Sequence, residues 1–160
     1  MCKKRGKQSM ECIIKKYDEL TRDELFEIVK LRISVFVVEQ RCYYQDVDDY
    51  DKFALHVKIV EDGRILSYLR VLPAGTVFDE VSIGRVIAAE RRKGYATMAL
   101  RSGIRAAREV FGAKKIVLEA QTYARGLYEK LGFVQTSEEF LEDGIPHIKM
   151  ELSEEKMQNA

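Results

Sequence analysis

The sequence has no tryptophan, two histidines and three cysteines in 160 residues. Cys2, Cys12 and Cys42 are odd in number and share no metal-like spacing, which argues against a disulfide framework and against a zinc site. A reducing, cytoplasmic setting is the default expectation. His147 has no second histidine near it, so no metal is expected there either. No run approaches the roughly 18 apolar residues of a membrane span, and no apolar segment of about 7–15 residues follows the basic opening Met1 to Lys7. That opening reads as a frayed tail. Charge of either sign is lacking in excess: the formal balance is +1, against the strongly basic character of a dedicated nucleic-acid binder. Repeats and low-complexity stretches are also missing.

What is present is the composition of one globular domain spanning 1–160, 46% apolar and 33% charged, large enough to bury a core unaided. Met10 to Lys16 reads as a first strand. Thr21 and Glu24 form a capping box with Leu20 and Leu25 as a hydrophobic staple, and Leu25, Ile28, Val29, Arg32 and Ile33 carry the helical period to about Phe36. The acidic run Asp46 to Asp51 opens like a calcium loop, but Asp51 stands where the turn needs glycine and Val57 where it needs glutamate. A solvated acidic face is the plainer reading; attraction of a cationic substrate is a third.

Leu55 to Glu61 and Arg64 to Leu72 flank Asp62-Gly63, the pair a type I′ hairpin favours. Pro73-Ala74-Gly75 ends the second of these strands, and Glu80 to Val86 forms the next. Thr97 to Phe111 is a helix whose apolar side, including Ala99, Gly103 and Ala107, is small enough to lie close to a sheet, and Gly112 stops it. Lys115 to Ala120 is a strand and Tyr123 to Leu131 a short helix. Glu138 to Glu142 and Ile145 to Leu152 close a hairpin at Asp143-Gly144, leaving Ser153 to Ala160 as a tail. This order describes an α/β fold on a mixed sheet.

Between the strand ending at Val86 and the helix from Thr97 lies a basic turn. A helix start leaves backbone N–H groups unpaired and carries partial positive charge, so this turn is suited to hold phosphate, with an exposed basic turn as the alternative reading. The turn Arg91-Arg92-Lys93-Gly94-Tyr95-Ala96 fits Arg/Gln-x-x-Gly-x-Gly/Ala, and Ala124-Arg125-Gly126-Leu127-Tyr128-Glu129-Lys130-Leu131-Gly132-Phe133 places a tyrosine before Lys-Leu-Gly-Phe. At this separation the two segments together resemble the GNAT acetyltransferases. Leu31 to Gln40 with Cys42 and Tyr44, and Gly144-Ile145-Pro146-His147-Ile148, resemble the ElaA-like branch. The likeness spans about Met10 to Leu152.

The resemblance implies the GNAT acyl-CoA N-acyltransferase fold, a mixed and mostly antiparallel central sheet of about six or seven strands flanked by about three or four helices. It implies acetyl-CoA as co-substrate, transfer to a primary amine on a small molecule or peptide by direct attack, and no metal. Backbone groups of Val86, Ile87 and Ala88 would bind the pantetheine arm and polarise the thioester. Those of Arg91, Arg92, Lys93, Gly94, Tyr95, Ala96 and Thr97 would hold pyrophosphate, and the arm would enter between splayed strands Glu80–Val86 and Lys115–Gln121. Gln121 stands near where the family usually has asparagine. Tyr128 would protonate the leaving thiolate.

Glu39 is the first candidate for taking the amine proton, with His56 and Glu119 as substitutes. Arg32, Phe36, Gln40, Tyr44, His56 and His147 complete the expected acceptor side. For Tyr128 the structural alternative is a core tyrosine whose hydroxyl is satisfied by a neighbour; for Glu39 it is a surface carboxylate or an ion pair with Arg32 or Arg41. Other readings are an acyl-CoA-binding module without catalysis, an enzyme related to the autoinducer synthases, and a nucleic-acid module using Arg91 to Lys93. Monomer and homodimer stay open.

Overall fold

The computed structural model describes residues 9–160; the basic opening and Cys2 lie outside them. Eight strands form one open sheet in the order β1-β2-β3-β4-β5-β8-β6, with β7 also pairing β8. The strands are β1 (Glu11–Lys16), β2 (Leu55–Glu61), β3 (Arg64–Leu72), β4 (Val81–Ala88), β5 (Lys115–Gln121), β6 (Val134–Gln135), β7 (Phe140–Glu142) and β8 (Ile145–Ser153). The helices are α1 (Arg22–Arg32), α2 (Tyr95–Phe111), α3 (Arg125–Glu129) and α4 (Glu154–Met157). Every pairing is antiparallel except β4 with β5. Both hairpin turns take the expected positive φ, 52° and 76° at Asp62-Gly63 and 50° and 78° at Asp143-Gly144.

The predicted small face of α2 explains its place. Ala99, Leu100, Gly103, Ile104 and Ala107 are buried, and a Cβ added to Gly103 would come within 2.9 Å of the Leu69 side chain on β3. The missing methyl lets the helix axis approach the sheet. Leu100 and Ile104 then each bury apolar surface worth about 1.5–3 kcal/mol against the cluster of Leu69, Val71, Ile116 and Leu118.

Helix α1 begins with the predicted capping box: Glu24 N–H donates to Thr21 Oγ1 (3.1 Å) and Thr21 N–H donates to the Glu24 carboxylate (2.9 Å). Glu24 also pairs with Lys15 of β1 (2.8 Å) and Lys58 of β2 (2.7 Å), fastening the helix start across the sheet. At its other end α1 departs from expectation. Regular α-helix stops at Arg32, and Ile33–Glu39 continue as a wider π-helix. Ser34 Oγ donates to the Lys30 carbonyl (2.8 Å), competing for an acceptor of the regular ladder, in a run of β-branched residues that are poor helix formers.

The acidic run is not a solvated face. Asp46 and Asp51 are buried and belong to an ion network with three arginines from α1, β3 and β4. Arg32 Nε meets Asp46 Oδ2 at 2.8 Å and its Nη1 meets Asp51 Oδ1 at 2.6 Å. Arg70 holds Asp48 at 2.6 Å and Asp51 at 2.9 Å, and Arg85 Nε meets Asp46 Oδ1 at 2.8 Å. The carboxylates that suggested a calcium loop or a lure for a cationic substrate are thus committed to guanidinium groups. Burial alone would raise the Asp51 carboxyl, but Arg32 and Arg70 outweigh it and hold it below the usual range.

Two expected acceptor residues sit here rather than at a cleft. Arg32 is 1% exposed with its donors spent on Asp46 and Asp51. His56, equally buried, lies between the Tyr68 hydroxyl (2.8 Å from Nδ1) and the Asp51 carbonyl (2.9 Å from Nε2). Since a carbonyl only accepts, Nε2 carries the proton and Nδ1 accepts from Tyr68. Burial lowers the imidazole pKa, keeping the ring neutral.

The predicted tail at Ser153 to Ala160 is docked instead. Strand β8 runs to Ser153, α4 follows, and Met157 is buried in the core. Gly132, at φ 94°, lets the chain pass under it: a Cβ there would meet Leu152 at 3.3 Å and Lys156 at 3.4 Å.

A pH prediction follows from Glu24. Burial opposes ionisation, but the lysine pairs and the Thr21 N–H win and hold its pKa at about 2, against an ordinary 4.5. Because the folded value is depressed, this stabilisation is fully present above the unfolded pKa and is lost as pH falls from about 4.5 towards 2. Glu24→Gln should flatten the acid limb of a urea-midpoint profile over that window. An unchanged limb would show that other carboxylates set it.

Candidate active site

The site begins where the sheet comes apart. Strands β4 and β5 pair only at Val81 with Ile116 and Ser82 with Val117. Between Tyr68 and Arg70, β3 advances two residues while β4 advances three, from Ile87 to Gly84. The extra residue is a β-bulge, and Arg85 within it has φ 56°. From Ile83 on, through the bulge, the strands diverge around a cavity of about 690 Å³. This is the opening expected between the two central strands.

On the β4 wall the Ala89 N–H donates to the Leu66 carbonyl at 2.8 Å. Antiparallel alternation then turns the N–H groups of Ala88 and Val86 away from β3, towards the gap, while Ile87 faces Tyr68. Ser67 Oγ donates to the Ile87 carbonyl (2.7 Å), steadying the wall.

At the near end of the cavity lies the basic turn. Arg92 and Gly94 have φ 62° and 79°. A Cβ at Gly94 would meet nothing within 4 Å, so glycine serves the backbone conformation there and not close packing. No side chain caps α2, and its ladder opens with Met98 N–H donating to the Gly94 carbonyl (3.1 Å). The N–H groups of Tyr95, Ala96 and Thr97 therefore have no partner within the helix, and Arg91 and Arg92 flank them on the cavity wall. Lys93 lies off that wall.

Tyr128 comes from α3. It packs edge-on against Phe133 (5.9 Å, 77°), is 6% exposed, and lines the cavity. No side-chain hydrogen bond satisfies its hydroxyl among the described residues, contrary to the core-tyrosine alternative. Burial raises its pKa, so the phenol is neutral and can donate a proton.

The π-helical segment forms the opposite lip. Phe36 packs with Ile28, Tyr68 and Ile87. Next to it, Glu39 pairs with Arg91 across the mouth at 3.1 Å, rather than with Arg32 or Arg41. Gln121 Nε2 at the end of β5 donates to Gln40 Oε1, also at 3.1 Å. One segment thus bridges both walls of the cleft.

The far end carries Tyr44, Cys42, Glu119, Glu142, Asp143 and His147. His147 Nδ1 lies 2.7 Å from the Ile145 carbonyl and its Nε2 lies 3.6 Å from Glu142. Glu119 has no ion pair among the described residues, and burial followed by the Glu142 charge raises its pKa. Cys42 is buried with its thiol pKa raised by burial and by Asp143 and Glu142, which keeps it a thiol rather than a nucleophilic thiolate. Two site features were not legible. Arg85 reaches the wall only through a backbone torsion that no motif encodes, and Glu142-Asp143 read as hairpin chemistry alone.

These surfaces fit an acyl-CoA: unpaired helix N–H groups beside arginines suit pyrophosphate, a gap of strand width suits the pantetheine arm, and the Tyr128 hydroxyl stands unpartnered between them. The comparisons agree with that fit. The acetyltransferase (GNAT) domain family matches residues 19–154. UPF0039 protein C11D3.02c of Schizosaccharomyces pombe is 36% identical over 90% of this chain and 97% of its own. Protein ElaA of Escherichia coli is 33% identical over 84% and 90%, and its crystal structure superposes with a TM-score of 0.83 over 89% and 99% of the two chains. The crystal structure of an acyl-CoA N-acyltransferase from Pseudomonas aeruginosa gives a TM-score of 0.82 at 36% identity, over 88% and 98%. The acyl-homoserine-lactone synthase LasI, 16% identical with a TM-score of 0.75 over 92% and 91%, shares the fold alone. With the fold, the split sheet and the basic turn in accord, the chain belongs to the GNAT acetyltransferase family, in its ElaA-like branch, and is an acyltransferase.

Proposed function

We propose that the chain is an acetyl-CoA-dependent N-acetyltransferase that acetylates a primary amine by direct attack on the thioester. The observation that carries this reading is a single cavity that joins the uncapped start of α2, the gap between β4 and β5, and an acidic far wall. Acetyl-CoA supplies the activated acyl group. The N–H groups of Tyr95, Ala96 and Thr97, with Arg91 and Arg92, bind its pyrophosphate. Val86 and Ala88 aim their N–H groups at the acyl oxygen, where they are worth most as negative charge develops. Tyr128 gives its phenolic proton to the leaving thiolate.

The attacking amine must first lose a proton, which at neutral pH costs about 4.6 kcal/mol from a pKa near 10.4. Two of the carboxylates on the wall are the candidates for accepting it, Glu39 and Glu119, and they differ. Glu39 is exposed and neutralised by Arg91. Glu119 is also solvent-accessible but has no ion pair among the described residues, and partial burial together with the Glu142 charge raises its pKa, so it is the better base, and activity should fall as pH drops through its raised pKa. Glu39 is assigned to Arg91: an exposed pair worth about 0–1 kcal/mol yields to a charge-assisted phosphate contact worth about 1.5–3 kcal/mol. Holding both reactants in one cleft supplies further acceleration. Acceptors are small molecules or peptide amines, for which the acidic far wall favours a cationic group.

Calorimetry with acetyl-CoA, followed by an acceptor screen read by mass spectrometry, tests the reading. Acetyl-CoA should bind, and acetylated amine should accumulate; binding without transfer to any amine of a broad panel would reduce the chain to an acyl-CoA-binding module. Longer acyl-CoA donors in the same screen decide whether acetyl is preferred. Tyr128→Phe should keep acetyl-CoA affinity within about threefold and lower kcat by about a hundredfold, the low end for general-acid catalysis. An unchanged kcat would remove Tyr128 as the acid. Arg91→Glu with Arg92→Glu should weaken acetyl-CoA binding about tenfold or more, since charge-assisted contacts become repulsions. Equal affinity would move the pyrophosphate elsewhere.

A further inference from the structure

Among the described residues, five non-glycine positions have positive φ, and four of them lie in turns or loops. Arg85 is the fifth, and it lies inside strand β4 at φ 56°. Arginine has no intrinsic reason to adopt this conformation, which strains its Cβ against its own backbone. A glycine would adopt it freely. The explanation is in what the side chain grips. Its Nε meets Asp46 Oδ1 at 2.8 Å, its Nη2 donates to the Asp46 carbonyl at 3.0 Å, and Asp48 stands 3.5 Å away. The Tyr44 ring lies 5.6 Å from the guanidinium, and the Tyr44 hydroxyl donates to the same Asp46 oxygen at 2.9 Å. Asp46 cannot follow Arg85 outward, because Arg32 holds its other oxygen at 2.8 Å in the protein interior.

The strained residue is also the hinge of the cleft. It occupies the extra position of the β4 bulge, between the last β3 partner on one side, Gly84, and the first on the other, Ile87. Slipping that bulge by one residue would exchange the groups facing β3 with those facing the gap. We propose that Arg85 is a positioning residue for acyl transfer: its fork on Asp46 pins the bulge in register, and so aims the Val86 and Ala88 N–H groups into the gap between β4 and β5. The inference rests on the proposed role of those N–H groups. Arg85 touches no reacting atom; it acts through the backbone that follows it. The planar fork matters as much as the charge, since both Nε and Nη2 are used and an ammonium has only one centre to offer.

The test uses the full chain with Arg85→Gly and Arg85→Lys. Glycine accepts the positive φ without strain but drops the clamp; lysine keeps charge and stem but drops the fork. Amide shifts and hydrogen exchange of Val86 to Ala88, acetyl-CoA affinity by calorimetry, and kcat and KM are read together. Arg85→Gly should bind acetyl-CoA within about threefold of the unaltered chain, because α2 and its turn are untouched. Its Val86 and Ala88 amides should shift and exchange faster, and kcat should fall about a hundredfold, the cost of losing one oxyanion donor, with KM for acetyl-CoA nearly unchanged. Millimolar guanidinium should restore part of that kcat to Arg85→Gly and none to Arg85→Lys. Should the glycine variant fail to fold, the lysine variant gives the same amide and kinetic readouts with a smaller fall. Unmoved amides or a wild-type kcat in a folded variant would overturn the role of Arg85. Failure of the unaltered chain to bind acetyl-CoA would instead overturn the functional reading, and with it the purpose of the aimed amides.

Discussion

The structure depends on a network of three arginines and three aspartates, of which Arg32, Arg70, Asp46 and Asp51 are buried and Arg85 and Asp48 half-buried. Arg32, Arg70 and Arg85 come from a helix and two strands, and Asp46, Asp48 and Asp51 from the loop that crosses them. None could be buried alone: an isolated charge in the interior costs several kcal/mol, and removing one partner from a buried pair typically costs about 3–5 kcal/mol. Because the charges cancel only when all the elements arrive, the network acts less as glue than as a test of assembly. It admits one placement of the loop, the π-helical segment and β4 relative to each other.

That fixed placement determines where the cleft opens. The sheet is one, but β4 and β5 join its halves only at Val81 and Ser82, and the bulge in β4 lies just past the point where they part. Core packing on either side is ordinary, with α2 drawn close at Gly103 and the α4 segment docked over Gly132. The cleft inherits two chemistries from its two ends. Unpaired backbone N–H groups and arginines lie at the start of α2, while carboxylates and aromatic rings line the far wall. A ligand with an anionic end and a cationic partner is oriented by that field before any specific contact forms.

How much of this could be read from the chain divides by sequence distance. The Thr21–Glu24 box, the turns at Asp62-Gly63 and Asp143-Gly144, and the stop at Gly112 are local chemistry, and each stands where the sequence put it. The basic turn and Tyr128 were legible because their segments have a recognisable form and spacing. Arg32 and His56 went astray because their partners lie far away in sequence or in main-chain carbonyls: Arg32 meets Asp51, 19 positions on, and His56 meets the Asp51 carbonyl. A run of carboxylates looks solvated until the arginines that neutralise it are folded over it. The π-helix was hidden for a related reason, since the period of Ile33 to Val38 fits a helix but does not reveal its width.

The difference between the two ends of the cleft explains why the end proposed for acyl-CoA leaves a mark in the sequence and the end proposed for the acceptor does not. At the start of α2 and along β4 the proposed contacts are main-chain N–H donors, whose positions are fixed by helix and strand geometry and depend on side chains only where a special torsion is required, as at Gly94. A pattern of such torsions leaves a mark in sequence. The acceptor wall is built from side chains on a π-helical lip, a β5 strand end and the tip of a hairpin, and each could change without disturbing the sheet. Glu119, Glu142 and Asp143 belong to no pattern, and their common sign becomes a chemical preference only when the fold sets them around one volume. Arg85 connects the two ends: its backbone shapes the donor wall while its guanidinium lies over Tyr44 on the acceptor side. A shift of the far wall that moved Tyr44 or Asp46 would therefore reach the Val86 and Ala88 amides, for which we propose the acyl-polarising role, through a single clamped side chain.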